Sequence, residues 1–530
     1  MKAYKIGIDV GGTNTDAVLL DPNCKVIHCV KTPTTADVES GILKALELLM
    51  THAPINRSLV KYVMLGTTHA TNAIVQRKDL ARTSAIRICL PAGQGIEPMF
   101  TWEEDLKTAI GNSFYLLHGG CEFDGRPLYT PELNTAECLE VLEEIKKNKI
   151  ESIAVTSIFS PVSSNFEKAF ENLAKEVLGT DFPITLSSEI GKIGLLEREN
   201  AAILNASLVK VIGKVATGLE KALARYEIEA MIFFSQNDGT LLSLEMAKRY
   251  PILTIGSGPT NSIRGAACLS KLTDCIVCDI GGTTTDIGIL TNGFPRESCI
   301  AVNIGGVRTN FRMPDIISIG IGGGSLVLEK EGRITVGPES LGYNLCVESI
   351  AFGGNILTVT DCLLALGYIT LDHPNCDPSR LHSIDKKLCL QAIAIMHREL
   401  EIALNKIKTK STTLPIVLVG GGAILIQGNL IEGAPVIRPE MAGCANAIGA
   451  AMANASGEID IMLSLEGKIR EEVLVAAKQQ AVQKALDAGA HPSSISIVDF
   501  DEIPIAYLSS IVRIKAKAAG EITSTKLNIN

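Results

Sequence analysis

The apolar positions of this chain fall in short runs closed by glycine-rich turns. Residues 4–30 alternate apolar segments with turn residues and predict two or three strands of a meander. Gly41–His52 repeats its apolar positions at helical spacing. Tyr62–Leu65 is a short apolar strand that leads into Gly66-Thr-Thr-His-Ala-Thr-Asn-Ala-Ile-Val75, a polar turn and helix start. Helix 132–148, strand 152–158 and helix 164–178 follow as a βα alternation. Leu195–Tyr226 reads as one long helix, and Met231–Ser235 as a strand closed by Gln-Asn-Asp-Gly. Beyond Ile252–Ile255, the run Gly256-Ser-Gly-Pro-Thr-Asn opens a helix through Leu269. Ile316–Leu326 is strand, glycine turn, strand, and Leu414–Ala423 is a strand entering another glycine turn. Gly443–Ala455 is a helix of small residues, able to pack closely on a neighbour. Ile459–Leu463, helix 467–489, Ser494–Phe500 and Leu508–Ala516 suggest a compact β-α-β-β tailpiece.

One pattern occurs twice. Ile6-Gly-Ile-Asp-Val-Gly-Gly-Thr-Asn-Thr-Asp-Ala-Val-Leu-Leu20 is matched in register by Ile276-Val-Cys-Asp-Ile-Gly-Gly-Thr-Thr-Thr-Asp-Ile-Gly-Ile-Leu290. Each copy is apolar strand, Gly-Gly turn, apolar strand, which is a β-hairpin signature. Glycine lets backbone N–H groups approach phosphate oxygens with no Cβ in the way. Thr13, Thr15, Thr283 and Thr285 add hydroxyl donors beside the turns. Asp9 and Asp279 end the first strand of each hairpin, where a carboxylate can hold Mg²⁺ through water. Asp16 and Asp286 are alternatives for that part, or for binding an attacking water. A single Asp-Gly-Gly turn would say little; two in register, one per half of the chain, point to a phosphate-binding cleft. The Walker-type loop Gly-x-x-x-x-Gly-Lys-Ser/Thr does not occur. The first Gly-Gly turn is followed by strand, not helix, which disfavours a Rossmann dinucleotide site.

The 530 residues suffice for two large domains and a small one. Mean hydropathy is +0.25, yet no run of about 20 uncharged apolar residues occurs, so no membrane span is expected. Lys5 is followed directly by the first strand, so no signal peptide is expected and a cytoplasmic protein is anticipated. The formal net charge of −9, without a long basic run, argues against nucleic-acid binding. The 14 cysteines lie mostly in apolar segments and read as buried reduced thiols. Cys275 and Cys278 form the sole Cys-x-x-Cys, inside a strand whose alternation points the two thiols apart.

The paired Asp-x-Gly-Gly-Thr hairpins resemble those of the acetate kinase, sugar kinase, Hsp70 and actin superfamily. Four further segments resemble the hydantoinase A and 5-oxoprolinase family, in family order: Gly66-Thr-Thr-His-Ala-Thr-Asn-Ala, Ser257-Gly-Pro-Thr-Asn-Ser-Ile-Arg-Gly-Ala-Ala, Asp315-Ile-Ile-Ser-Ile-Gly-Ile-Gly-Gly-Gly-Ser and Thr358-Val-Thr-Asp-Cys-Leu-Leu-Ala-Leu-Gly. Thr260-Asn261-Ser262 departs from that family's small Ala-Gly-Gly, and Ala351-Phe-Gly-Gly from its Cys-Tyr-Gly-x-Gly-Gly. The tail from about residue 456 looks like the short form of the family. The resemblance implies an α/β fold of two ribonuclease-H-like (actin-like ATPase) domains around a nucleotide cleft, with a small α+β C-terminal module. The corresponding boundaries are residues 1–190, 191–455 and 456–530.

The resemblance further implies an ATP- and Mg²⁺- (or Mn²⁺-) dependent hydrolase subunit that phosphorylates the amide oxygen of a cyclic amide or imide, of hydantoin or 5-oxoproline type. A second, hydantoinase B-type subunit and an oligomer are expected partners. On this reading Gly11, Gly12, Thr13, Thr15, Gly281, Gly282, Thr283 and Thr285 cradle phosphates, and Asp9 and Asp279 hold the metal. Gly420, Gly421 and Gly422 admit the adenosine, and Asp315 polarises substrate or metal-bound water. Thr67, Thr68 and Asn72 touch substrate, or else only cap the following helix. His69 reads as a structural donor. Arg308 and Arg312 bind an anionic substrate or pair with surface acids. The alternatives are a ketone carboxylase subunit and an actin-like chaperone or reactivase; a sugar kinase lacks an obvious Asp base.

Overall fold

A computed structural model describes residues 3–522, apart from residues 13, 36–37, 192, 299–301, 311–312, 409–412, 429, 468 and 506–510. Both expected hairpins form with the same register. Tyr4–Val10 pairs antiparallel with Asn14–Leu20, setting Asp9 opposite Asp16. Cys275–Ile280 pairs with Thr285–Thr291, setting Asp279 opposite Asp286. On the other side of each first strand lies a parallel strand, Val60–Thr67 in the first sheet and Ile416–Val419 in the second. An antiparallel meander continued by parallel strands is thus built twice.

The first sheet is larger than the motif. Its nine strands run Ser496–Pro504, Ile511–Gly520, Ala455–Ser464, Leu241–Ser243, Met231–Ser235, Val60–Thr67, Tyr4–Val10, Asn14–Leu20, Val26–Pro33. Two domain assignments change as a result. Residues 231–243, expected in the second domain, pair with the first-domain strand Val60–Thr67. The tail, expected as a separate module, extends that same sheet through the pairing of Leu241 with Ala455. Sheet pairing joins strands distant in sequence, and no local periodicity records it. The tail is also tied to the second domain. The buried Lys517 ammonium lies 2.9 Å from Glu297, beyond the second hairpin, and 2.7 Å from Asp238 in the turn between two strands of the first sheet.

The second sheet carries Ile316–Ile319 antiparallel to Thr285–Thr291, and Val436–Ile437 beyond Ile416–Val419. A third, all-parallel sheet takes Ser113–His118, Thr83–Leu90, Ser152–Ser157 and Ile184–Leu186. Only the third of these strands was located in advance. The helix Lys386–Ile407, which fills the second-domain core with Met396, Leu400 and Leu404, was likewise unassigned.

The hairpin strands read as continuous apolar runs because helices cover both faces of their sheet. Ile6 and Ile8 share a core with Ile42 and Leu46 of the helix Val38–His52. Val18 and Leu20 pack on Ala447 and Ile448 of the helix Ala445–Met452. The helix Leu195–Arg225 is long and apolar enough to cross a membrane, but 72% of its most apolar window is buried inside the fold. It packs beneath the first and third sheets, where the buried Arg87 and Glu199 form a paired, hydrogen-bonded bridge. Cys275 and Cys278 are both buried, and burial pushes the Cys275 thiol up to about 12.

Candidate active site

The two hairpins meet at one helix. Within Ser257–Ser270, Asn261 donates through Nδ2 to Asp9 Oδ1 at 3.2 Å, and the next residue, Ser262, donates through Oγ to Asp279 Oδ2 at 2.5 Å. Adjacent residues therefore reach the first carboxylate of both hairpins, which places the two carboxylates on opposite walls of one cleft. A second helix, Ala445–Met452, contributes Asn446, whose Nδ2 donates to Asp9 Oδ2 at 3.1 Å. These helices cross in near backbone contact. A Cβ built on Gly265 would lie 1.8 Å from the Ala445 carbonyl oxygen, and one on Gly449 would lie 1.9 Å from that of Asn261. Gly7 fits the same helix onto the first sheet, with the Ala447 carbonyl oxygen 2.2 Å from its ideal Cβ. The small-residue helix expected at 443–455 is what brings Asn446 to the carboxylates.

The turns have matching geometry. Gly11 N–H donates to the Asn14 carbonyl at 3.0 Å, and Gly281 N–H to that of Thr284 at 2.9 Å. A Cβ added to Gly12 or Gly282 would meet nothing within 4 Å, so the outer side of each turn opens to space. A Cβ on Gly421 would also meet nothing within 4 Å, whereas its neighbours are tightly constrained. A Cβ on Gly420, whose φ is +84°, would lie 2.2 Å from Asp279 Oδ1, and one on Gly422 would strike Ile280. The turn at 420–422 thus wraps the end of the strand that carries Asp279. Across the cleft, Gly66 leaves the same kind of room for Asp9, whose Oδ1 lies 2.3 Å from the ideal Cβ.

Several assigned residues sit elsewhere or play other parts. Thr13 and Arg312 lie outside the described residues. Thr15 and Thr285 are fully buried on the core side of their strands. Thr15 Oγ1 pairs with Thr34 Oγ1 at 3.3 Å, and Thr285 Oγ1 donates to the Ile321 carbonyl at 2.7 Å. Strand alternation sends Asp9 and Asp16 into the cleft and so turns Val10 and Thr15 away from it. Thr283 stays half-buried at the second turn. Asp315 is not near that turn. The strand that follows it runs antiparallel to Thr285–Thr291, pairing Ile316 with Gly288 and Ile319 with Thr285. Asp315 is therefore about 10 Å of strand away from Asp286, and it binds Arg296 at 2.6 Å. The residue that this strand does present to the site is Ser318, which donates to Asp286.

The glycine run at 320–324 is a scaffold for the second turn. Gly323 and Gly324 donate to the carbonyls of Gly281 and Gly282 at 3.1 and 2.7 Å. Thr360 fixes that run by donating to the Gly323 carbonyl at 2.8 Å. Asp361 closes a capping box with Thr358. Thr67 and Thr68 end the parallel strand next to the first hairpin, and Thr68 N–H donates to the Val10 carbonyl at 3.2 Å. Asn72 donates to Thr68 Oγ1 at 3.4 Å, and Thr67 Oγ1 pairs with His69 Nδ1 at 2.6 Å. Burial lowers the His69 imidazole pKa, which favours its neutral form. Arg308 pairs with Glu197 at 3.3 Å on the surface.

The cleft is electrostatically loaded. Burial pushes Asp9 up to about 6, with Asp16 and Asp279 raising it further against the two amide donors. Asp286 is also raised to about 6, by burial and by Asp279. Burial likewise raises Asp16 and Asp279, and Lys31 opposes both shifts. Carboxylates gathered with so little compensating charge, presenting only oxygen donors, suit a hard divalent cation.

The hydantoinase/oxoprolinase N-terminal region profile matches residues 5–178, and the hydantoinase/oxoprolinase profile matches residues 198–459. The chain belongs to the hydantoinase/oxoprolinase family. It is 24% identical over 400 residues to the caprolactamase subunit alpha of Pseudomonas jessenii, covering 69% of this chain and 55% of that one. It is 26% identical over 468 residues to the 5-oxoprolinase of Saccharomyces cerevisiae, covering 78% and 35%. With the acetophenone carboxylase gamma subunit of Aromatoleum aromaticum it shares 26% over 405 residues, covering 69% and 53%. The chain thus spans about half the length, or less, of these curated relatives. Its fold is that of the ATP-dependent caprolactamase from P. jessenii, with a TM-score of 0.78 at 18% identity over 98% of this chain and 88% of that one. Nucleotide-free acetone carboxylase follows at 0.69 and 16%, over 99% and 88%.

Two residues at the centre of the site were visible in the sequence only as departures. Asn261 and Ser262 stand where the family resemblance supplies glycines, and they are the side chains that hold Asp9 and Asp279. Asn446 and Lys31 carried no motif signal, since their roles depend on contacts across the fold.

Proposed function

We propose that the chain is the ATP-using subunit of a cyclic-amide hydrolase, and that it activates the ring by phosphorylating the amide oxygen. The observation that carries this reading is the pair of Asp-Gly-Gly hairpins on opposite walls of one cleft, bridged by Asn261 and Ser262. The relatives named for caprolactam and 5-oxoproline support the acceptor class.

An amide carbon is a poor electrophile and its nitrogen a poor leaving group. Transfer of the γ-phosphoryl group to the amide oxygen breaks the bond to ADP and forms a C–O–P linkage. Water then attacks the carbon, the ring C–N bond opens as the nitrogen takes a proton, and the acyl phosphate so formed is attacked at the same carbon by a second water, so that the phosphate departs with the amide oxygen and leaves the carboxylate. The amides of Gly12 and Gly282 bind the phosphates, in turns closed by the Gly11 and Gly281 N–H groups, with Thr283 beside them. The open side of Gly421 admits the adenosine. Asp9 and Asp279 are the residues that would hold Mg²⁺, which would neutralise phosphate charge when bound. Catalysis on this plan rests on positioning and charge neutralisation. Thr68 and Asn72, hydrogen-bonded to each other beside the first hairpin, orient the acceptor. A second polypeptide completes the hydrolysis, in line with the subunit names of the relatives.

A second reading, a ketone carboxylase subunit, is favoured by the acetophenone and acetone carboxylase relatives. ADP formation with Mg-ATP separates the two, tested against hydantoins, 5-oxoproline, simple lactams, and small ketones with bicarbonate. Stimulation by a cyclic amide supports the first reading. Stimulation by a ketone alone moves the chain to the second.

A further inference from the structure

The two hairpins match in sequence and register, yet the strand beyond each differs. Beyond the second hairpin, Ser318 lies opposite Asp286 and offers a hydroxyl. Beyond the first, Val26–Pro33 sets Lys31 opposite Asp16. Lys31, Asp16 and Asp9 then form one row across three neighbouring strands on the cleft face. The Lys31 ammonium reaches both oxygens of Asp16, at 2.5 and 2.7 Å. Asp16 is 2% exposed whereas the Lys31 side chain is 38% exposed, so the ammonium keeps an open side. Its charge also opposes the upward shift that burial gives Asp279 of the other hairpin.

The asymmetry divides the labour of two otherwise equal loops. An ammonium carries three donors and no acceptor. Asp16 takes part of that capacity, and the exposed side chain leaves the rest available on the face that carries Asp16 and Asp9. Thr34 Oγ1 holds the Gly11 carbonyl at 2.9 Å, so the strand end that carries Lys31 is anchored to the first turn. With the adenosine admitted beside Asp279 at the 420–422 turn, the far end of the polyphosphate extends toward the first hairpin, whose edge strand carries Lys31.

We infer that Lys31 is the residue that binds the terminal phosphoryl group, held in readiness by Asp16. The inference rests on the nucleotide reading above and adds to it which side of the cleft receives the transferred group. Asp16 is then a positioning residue whose carboxylate keeps the ammonium aimed at the cleft. The second hairpin, whose carboxylates are hydrogen-bonded by the hydroxyls of Ser262 and Ser318 among the described residues, serves the rest of the polyphosphate.

Calorimetric titration of the full chain with ADP and with a non-hydrolysable ATP analogue, at fixed Mg²⁺, tests this. Lys31→Met should weaken the ATP analogue roughly 10- to 100-fold, as loss of a charge-assisted hydrogen bond does, with ADP affinity nearly unchanged. Lys31→Arg should recover part of the difference. Equal losses for both nucleotides, or no loss for either, would overturn the inference. The double variant Asp16→Asn/Lys31→Met removes the buried unpaired carboxylate and guards against a folding defect. Continued loss of discrimination between the two nucleotides in it supports a phosphate contact. Full recovery would show that Lys31 only neutralises Asp16. A parent chain that binds neither nucleotide would refute the nucleotide reading itself.

Discussion

Replacing Asp286 by asparagine should stabilise the chain at alkaline pH, and the size of the effect follows from its surroundings. The carboxyl is raised from 3.8 to about 6 by burial and by the neighbouring Asp279. A folded-state pKa above the unfolded one means that the native state binds the proton more tightly. That contribution is fully present below the unfolded value and is lost as pH rises through about 6. Two units correspond to about 3 kcal/mol, an upper figure because Asp286 is half-buried rather than sealed. Asparagine keeps the shape, and the Ser318 hydroxyl, which donates to Asp286, can donate or accept. Asp286→Asn should therefore exceed the parent by about 2 kcal/mol at about pH 8 and match it near pH 4, a rise in melting temperature of about 2 °C at the higher pH. Thermal melts at both pH values measure this. Mg-ATP should stabilise the parent more than the variant, since the substitution takes a carboxylate from the cleft. A variant less stable than the parent at both pH values, or more stable by the same amount at both, would refute the reasoning.

Three further outcomes are expected. Gly265→Ala drives a methyl into the Ala445 carbonyl and should lower stability by about 1–3 kcal/mol or more, read from the denaturant midpoint; an unchanged midpoint contradicts the close helix crossing. Gly282→Val adds its Cβ in open space, so its melting temperature should stay close to the parent's while nucleotide affinity drops at least about tenfold. Equal binding by that variant would argue that the second turn does not face phosphate. Asp315→Asn should leave nucleotide affinity intact and alter stability by less than about 1 kcal/mol, because the Arg296 pair is partly solvated; a large affinity loss would return Asp315 to the site.

The hairpins were legible in sequence because strand, Gly-Gly turn and strand are local, and register follows from the turn. The same rule explains the errors beside them. Thr15 and Thr285 read as phosphate donors from their place beside the turns, yet a residue next to a cleft-facing aspartate in a strand faces the core. Asp315 was misplaced because it starts the strand that runs toward the second turn instead of ending one there. The nine-stranded sheet was beyond local reading: residues 241–243 meet residue 455 and the tail only through long-range pairing. Asn261 and Ser262 were noticed as departures from a small-residue pattern, but their targets, Asp9 and Asp279, lie in separate hairpins. Lys31 was not legible, because the register that sets it opposite Asp16 passes through an irregularity between Leu19 and Leu20 that the sequence does not mark.

The central claim is that the cleft moves a phosphoryl group onto an amide oxygen. The direct measurement uses Mg-ATP with whichever cyclic amide stimulates ADP formation, labelled with oxygen-18 at the carbonyl, and follows the label by phosphorus NMR. Because the phosphate departs with the amide oxygen, the account predicts that the released phosphate carries the label. Unlabelled phosphate, with the heavy oxygen retained in the ring-opened carboxylate, would contradict it.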